Sequence, residues 1–164
     1  MELTDLLPGI IGSFVGVMGW LLVGLYIQRR QFVRQARNAA KAVYFELDVN
    51  RIAVSVAYDH GSYTQLNRSS FERLLPELAT LLSAADLKTV VGAYMAHAGY
   101  EQLATDTTLP ASVRRPTLAN IASLHDAALA ALAACAFTRQ EAHLMKAGTP
   151  ATPATADDYR RATS

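Results

Sequence analysis

Hydrophobic and polar positions are arranged in two distinct ways along this chain. Leu6 to Gln28 is a run of 23 residues without a formal charge, and beyond it apolar side chains return every three or four positions. At about 1.5 Å per residue the run would span roughly 34 Å as a helix, slightly more than the roughly 30 Å hydrocarbon core of a bilayer. Twelve Leu, Ile, Phe or Val residues lie between Leu6 and Ile27, against Ser13 and the glycines, so insertion into lipid is expected to be favourable. The start through Glu2 and Asp5 and the exit through Tyr26-Ile27-Gln28-Arg29-Arg30 do not fit a cleaved signal peptide, which has a basic start and a small-residue exit. Pro8 is tolerable in a first helical turn capped by Thr4 or Asp5.

After the run, Phe32, Ala36, Ala39, Val43, Leu47, Asn50, Val54 and Ala57 recur at helical spacing, with no Gly or Pro between Ile27 and Tyr58. A helix continuous with the membrane span is predicted, stopping at Asp59-His60-Gly61-Ser62. Ile52-Ala53-Val54-Ser55-Val56 also alternates like a strand, which leaves that end less defined. A second helix is expected from the capping-box spacing Ser69-Ser70-Phe71-Glu72, with Phe71, Leu74, Leu75, Leu78, Leu81 and Leu82 as its apolar face and Pro76 as a bend or a true start. Ser83 and Asp86 read as a fresh cap, after which Leu87, Val90, Val91, Tyr94, Met95 and Ala98 keep helical spacing to about Leu103. Thr105 to Pro116 reads as a surface loop. A last helix is expected from about Thr117 to Ala147, with Leu118, Ile121, His125, Ala128, Leu132, Cys135 and Ala136 on one face and Gly148 past its end.

The predicted class is therefore all-α. Residues 1–5 form a short external N-terminus, 6–28 one transmembrane helix, 29–147 a basic collar and a cytoplasmic antiparallel bundle of three to four helices, and 148–164 a Pro-, Ala- and Thr-rich disordered tail. After the span, about 135 residues remain, enough for one small core.

Charge adds an orientation. Arg29, Arg30, Arg34, Arg37 and Lys41 follow the span within thirteen residues, whereas no Lys or Arg precedes it. Basic flanks stay on the cytoplasmic side, so a bacterial inner-membrane protein with its N-terminus outside and its C-terminus inside is expected. Tyr26 would lie at headgroup depth. The collar is expected to contact anionic headgroups, each basic residue contributing about 1 kcal/mol near such a surface. The rest, Ala42 to Ala147, holds eight basic and ten acidic residues and is nearly neutral, which argues against a nucleic-acid partner.

Glycines add a packing surface. Gly9, Gly12, Gly16 and Gly19 are spaced three, four, three on one stripe, with Gly12 and Gly16 as a GxxxG pair, and Gly24 follows. Close backbone approach along such a stripe favours helix association in lipid, so a homo-oligomer joined through its spans is expected.

Candidate chemistry is sparse. Cys135, the single cysteine, lies in an apolar context that suits a small filler and allows no internal disulfide. His60, His97, His125 and His143 occupy no zinc-ligand spacing, and no phosphate loop or nucleophile elbow is present, so no metal, cofactor or catalytic residue is expected. Glu46 and Asn50 are one helical turn apart, with Asn50 on an otherwise apolar stripe. As a buried polar pair they would hydrogen-bond a neighbouring helix and fix its register, or else bind a ligand.

The single span, the Arg-rich exit, the segment Glu46-Leu47-Asp48-Val49-Asn50 and the Leu-rich helix after it resemble uncharacterised small bacterial single-pass membrane-anchored helical proteins over about residues 9 to 104. The resemblance implies a bacterial membrane location and no mechanism.

Three functions are in view. The first is a non-enzymatic membrane-anchored adaptor or sensory module that presents its bundle to an unknown protein partner. The second is a membrane-active effector or small pore formed by oligomerised spans, against which stands the absence of a charged residue inside the span. The third, a tethered enzyme, requires Glu46, His97 and His125 to converge in a pocket.

Overall fold

The computed structural model describes residues 3–106 and 108–148, with side chains from residue 13 to residue 143 apart from 107. The tail at 149–164 and residues 1–2 lie outside the described residues, as do any side-chain surroundings at Gly9 and Gly12. All regular structure among the described residues is helical: α1 Leu3–His60, α2 Ser69–Leu81, α3 Ala84–Met95, α4 His97–Thr105, α5 Ala111–Ala136 and α6 Arg139–Gly148.

Helix α1 is one uninterrupted element of 58 residues, about 87 Å at 1.5 Å per residue. Among the described residues it runs from Leu3 and ends where Gly61 adopts φ 69°, a conformation that L side chains rarely take. The strand-like alternation at Ile52–Val56 is helical, because Val54 and Ala57 lie on the buried stripe with Val43, Leu47 and Asn50. Residues 13 to 35 are exposed throughout, and burial begins at Ala36. The helix therefore has a free-standing half and a half that packs into the bundle.

The bundle half carries two apolar cores. One gathers Val43, Leu47, Phe71, Leu78, Val90, Tyr94, Ala128 and Leu132, and the other Val54, Ala57, Leu66, Tyr100, Leu103, Leu118 and Ile121. Lys41 pairs with Glu141 at 2.5 Å, Arg51 with Asp126, and the Arg115 guanidinium lies 5.9 Å from the Tyr58 ring centre, so positions ascend on α1 as they descend from α6 through α5.

Four sequence expectations are corrected. The helix expected from the Ser83 cap to about Leu103 is two, α3 and α4, parted at Ala96. The loop expected from Thr105 to Pro116 shrinks to a short turn: Pro110 caps α5, the Arg114 side chain donates to the carbonyls of Asp106 and Leu109, and Pro116 sits inside the helix. The single last helix is two, broken at Phe137 and Thr138, where Phe137 turns extended to meet Tyr44 at 5.0 Å and Thr138 caps α6 by bonding Glu141; Gly148 belongs to α6. The capping box at Ser69 and Glu72 does not form, because Glu72 pairs with Arg68 at 3.1 Å and another residue caps α2. Pro76 neither starts nor ends that helix. Ser83 does cap α3, its Oγ accepting from the Asp86 N–H and donating to the Asp86 carboxylate.

By length and composition α5 is long and apolar enough to cross a membrane. Its apolar stripe, however, is buried in the bundle, and the same helix carries the buried His125 and the Arg51-paired Asp126.

Candidate functional site

The cap missing from α2 comes from α1. Glu46 sits on the bundle side of α1, where its Oε2 accepts from Ser70 N at 2.6 Å and from Ser69 Oγ at 3.3 Å, and its Oε1 accepts from Phe71 N at 3.2 Å and Tyr94 Oη at 2.9 Å. A carboxylate at a helix N-terminus satisfies backbone donors that otherwise lack partners and faces the positive end of the helix dipole. Burial alone would raise the Glu46 carboxyl, but the Ser70 N–H, the Tyr94 hydroxyl and the Phe71 N–H hold it below the ordinary carboxylate value. The Tyr94 phenol moves up, through burial first and then the charge and hydrogen bond of Glu46.

One turn further along α1, Asn50 grips the peptide just before α2. Its Nδ2 donates to the Asn67 carbonyl at 2.6 Å and its Oδ1 accepts from Asn67 N at 2.8 Å. Glu46 and Asn50 thus act together on residues 67–71, and the intervening Leu47 is fully buried in the first core. Both members of the buried polar pair are engaged by backbone, Glu46 at the first turn of α2 and Asn50 at the peptide before it.

The sequence names the two histidines of the next element but not their pairing. His97 at the start of α4 and His125 in mid-α5 are fully buried, with their Nε2 atoms 3.2 Å apart. Neutral rings at that distance share one proton, so one Nε2 donates and the other accepts. Both imidazoles are pushed down to about 4, each mainly by burial; for His97 the neighbouring His125 adds to this, while for His125 the Asp126 charge and the Ala93 backbone oppose it. Tyr94 stacks on Phe71 at 4.1 Å and leans on His97 at 5.0 Å, which completes a chain of contacts from Glu46 through Tyr94 to His97 and His125. Along the chain these polar groups stand between members of the two cores: Asn50 between Leu47 and Val54 on α1, His97 between Tyr94 of α3 and Tyr100 of α4, and His125 between Ile121 and Ala128 on α5.

His97 and His125 therefore meet inside the bundle, and Glu46 reaches them only through Tyr94. Among the described residues no group of three or more His, Cys, Asp and Glu could hold a metal ion. His60 and the half-buried Cys135 stand apart from this chain; Cys135 Sγ lies 3.2 Å from the Leu132 carbonyl, and burial raises its thiol.

The surface offers two further features. Arg29, Arg30, Arg34 and Arg37 line an open hollow with Tyr26 and Val33 on the free-standing half of α1, while Lys41 is tied to Glu141 and lies 5.5 Å from the Phe137 ring centre. Between α1 and α5 lies an open groove of about 330 Å³ flanked by Tyr58, Leu118 and the Arg51–Asp126 pair. Gly16, Gly19 and Gly24 have open space where a Cβ would stand, so this chain's own packing does not require glycine there.

No family model matches the chain, nor does any curated protein or solved structure.

Proposed function

We propose that this protein is a non-enzymatic, single-pass membrane anchor that holds an antiparallel helical bundle at the inner face of a bacterial membrane as an adaptor or sensory module. The observation that carries the reading is the free-standing half of α1. Between residues 13 and 35 every side chain is exposed, including Phe14, Leu22 and Trp20, the last 79 % accessible. Apolar side chains so arranged around a whole helix need a covering medium, and lipid is the medium that covers all faces at once. The hydrophobic stretch passes into the arginine collar with no break in the helix, so a membrane position would be transmitted rigidly to the bundle.

In this reading the collar contacts anionic headgroups, and the open faces of Gly16 and Gly19, continuing the stripe from Gly9 and Gly12, pair with another span. Glu46, Asn50, Tyr94, His97 and His125 are internal fasteners, since each is buried and engaged with a neighbour. The groove between α1 and α5 is where a protein partner would dock.

Topology is the test. A protease tag inserted behind Gly148 should resist protease added to intact spheroplasts and be cleaved after lysis; cleavage in intact spheroplasts would reverse the orientation and remove the cytoplasmic module. Membrane potential should be unchanged when the chain is expressed, whereas depolarisation abolished by Gly12→Leu and Gly16→Leu would favour a pore.

A further inference from the structure

The arginines that follow the span do not ring α1. At about 100° per residue Arg29, Arg30, Arg34 and Arg37 fall with Tyr26 and Val33 in an arc of about 140°, and these side chains line one hollow of about 420 Å³. The opposite face of the same turns carries uncharged amides, Gln28, Gln31, Gln35 and Asn38. None of the four arginines makes an ion pair or a hydrogen bond among the described residues, whereas Lys41, Arg51, Arg68 and Arg114 are each engaged by the protein. Nor does α1 compensate their charge, because it carries no Asp or Glu from Leu6 to Phe45.

We propose that this hollow is a binding site for a phosphomonoester dianion, on one side of α1 and for one such group per chain. The proposal rests on the anchor reading, which sets the hollow against the headgroups at the end of the span, and it narrows contact with anionic lipid to one face and one class of phosphate. Each guanidinium presents paired N–H donors that match phosphate oxygens bidentately, as the compact ammonium of a lysine does not. The collar's single lysine, Lys41, stands outside the hollow and is held by Glu141. A phosphodiester brings one charge and two free oxygens to four converging guanidinium groups. A phosphomonoester brings nearly twice that charge and three acceptor oxygens, and so satisfies more of the donors. The Tyr26 ring and Val33 give the same arc an apolar floor for the carbon skeleton that bears the phosphate. That chemistry is shared by the headgroup of phosphatidate and by a soluble ester such as glycerol 3-phosphate.

The test is native mass spectrometry of the detergent-solubilised full-length chain offered equal amounts of phosphatidate, a monoester, and phosphatidylglycerol, a diester. The wild type should retain one phosphatidate per chain with a preference of about ten-fold, the ratio that one additional hydrogen bond to a charged group produces. The relocated collar Arg30→Gln/Arg34→Gln/Gln31→Arg/Gln35→Arg keeps the net charge but moves two guanidinium groups to the amide face. It should lose the preference with helical circular dichroism unchanged, since these positions are exposed. Equal retention of the two lipids by the wild type, retention of neither, or an undiminished preference in the relocated collar would overturn the site. Added glycerol 3-phosphate identifies the source: displacement of phosphatidate assigns the site to the soluble ester, and phosphatidate that stays bound assigns it to the lipid headgroup. Alkaline extraction of membranes separates this idea from the anchor. A retained chain without the phosphatidate preference contradicts the site alone, whereas a released chain that keeps the preference contradicts the anchor alone.

Discussion

Oε2 of Glu46 on α1 accepts the backbone N–H of Ser70 at 2.6 Å, so the first turn of α2 is capped by a residue 24 positions earlier in the chain. Among the described residues the only local side-chain bond to the backbone at the start of α2 is the one that Asn67 Oδ1 accepts from Ser69 N at 3.0 Å, which leaves the Ser70 and Phe71 donors dependent on tertiary contact. Glu46→Gln keeps the shape but loses the charge at the helix terminus, and should cost about 1 kcal/mol. Glu46→Ala also leaves Tyr94 Oη and two backbone donors unpaired and should cost about 3 kcal/mol. Urea denaturation of the two variants checks the order, and hydrogen exchange should show fast exchange at residues 69–72 ahead of global unfolding.

Asn50 should behave as the second half of the same clamp. Its amide matches a donor and an acceptor on one peptide, so Asn50→Asp, which lacks the donor, should destabilise by about 1–3 kcal/mol, and Asn50→Leu by a similar amount through the stranded Asn67 groups. A double-mutant cycle between Glu46→Gln and Asn50→Asp should show coupling, because both residues fix the same few backbone atoms. Additive losses would mean that residues 67–71 are held by other contacts.

His97 and His125 should be more dispensable together than singly. His125→Leu leaves the His97 Nε2 buried without its partner, a loss of about 1–3 kcal/mol, while removing both partners in favour of apolar groups can be nearly neutral. The double variant His97→Leu/His125→Leu is expected to be more stable than either single one. Thermal unfolding of the three variants decides it.

The same pair sets a pH dependence with a definite sign. Both folded-state values are depressed to about 4 from 6.5, so the unfolded chain binds protons first as the solution is acidified. Their contribution is complete above pH 6.5 and is lost as the pH falls toward 4. Glu46, also depressed, adds a loss of the same sign below its ordinary value of 4.5. Stability followed from pH 7.5 to 5 should fall in the wild type and remain flatter in the double histidine variant; parallel curves would contradict the assignment.

Much of the bundle is legible in the residues. The stripe Val43, Leu47, Asn50, Val54 and Ala57 and the stripe Leu118, Ile121, His125, Ala128 and Leu132 both lie inward, because period and polarity are properties of one helix. The α5–α6 break is harder to read, since no Gly or Pro marks Phe137-Thr138; an aromatic contact with Tyr44 and a threonine cap decide it. The Ser69/Glu72 pattern misleads because Arg68 competes locally for Glu72, leaving the terminus to Glu46. The pairing of His97 with His125 depends on how α4 lies against α5, which no spacing along the chain encodes. The sequence does expose Glu46 and Asn50 as a pair, but not that their target is backbone.

Most direct for the membrane anchor is alkaline carbonate extraction of membranes from cells making the full-length chain. A helix whose apolar side chains from Phe14 to Ile27 are embedded in lipid should stay in the pellet after the charge contacts of Arg29, Arg30, Arg34 and Arg37 are stripped. Release of the chain into the supernatant would contradict it and mean that something other than lipid covers the free half of α1.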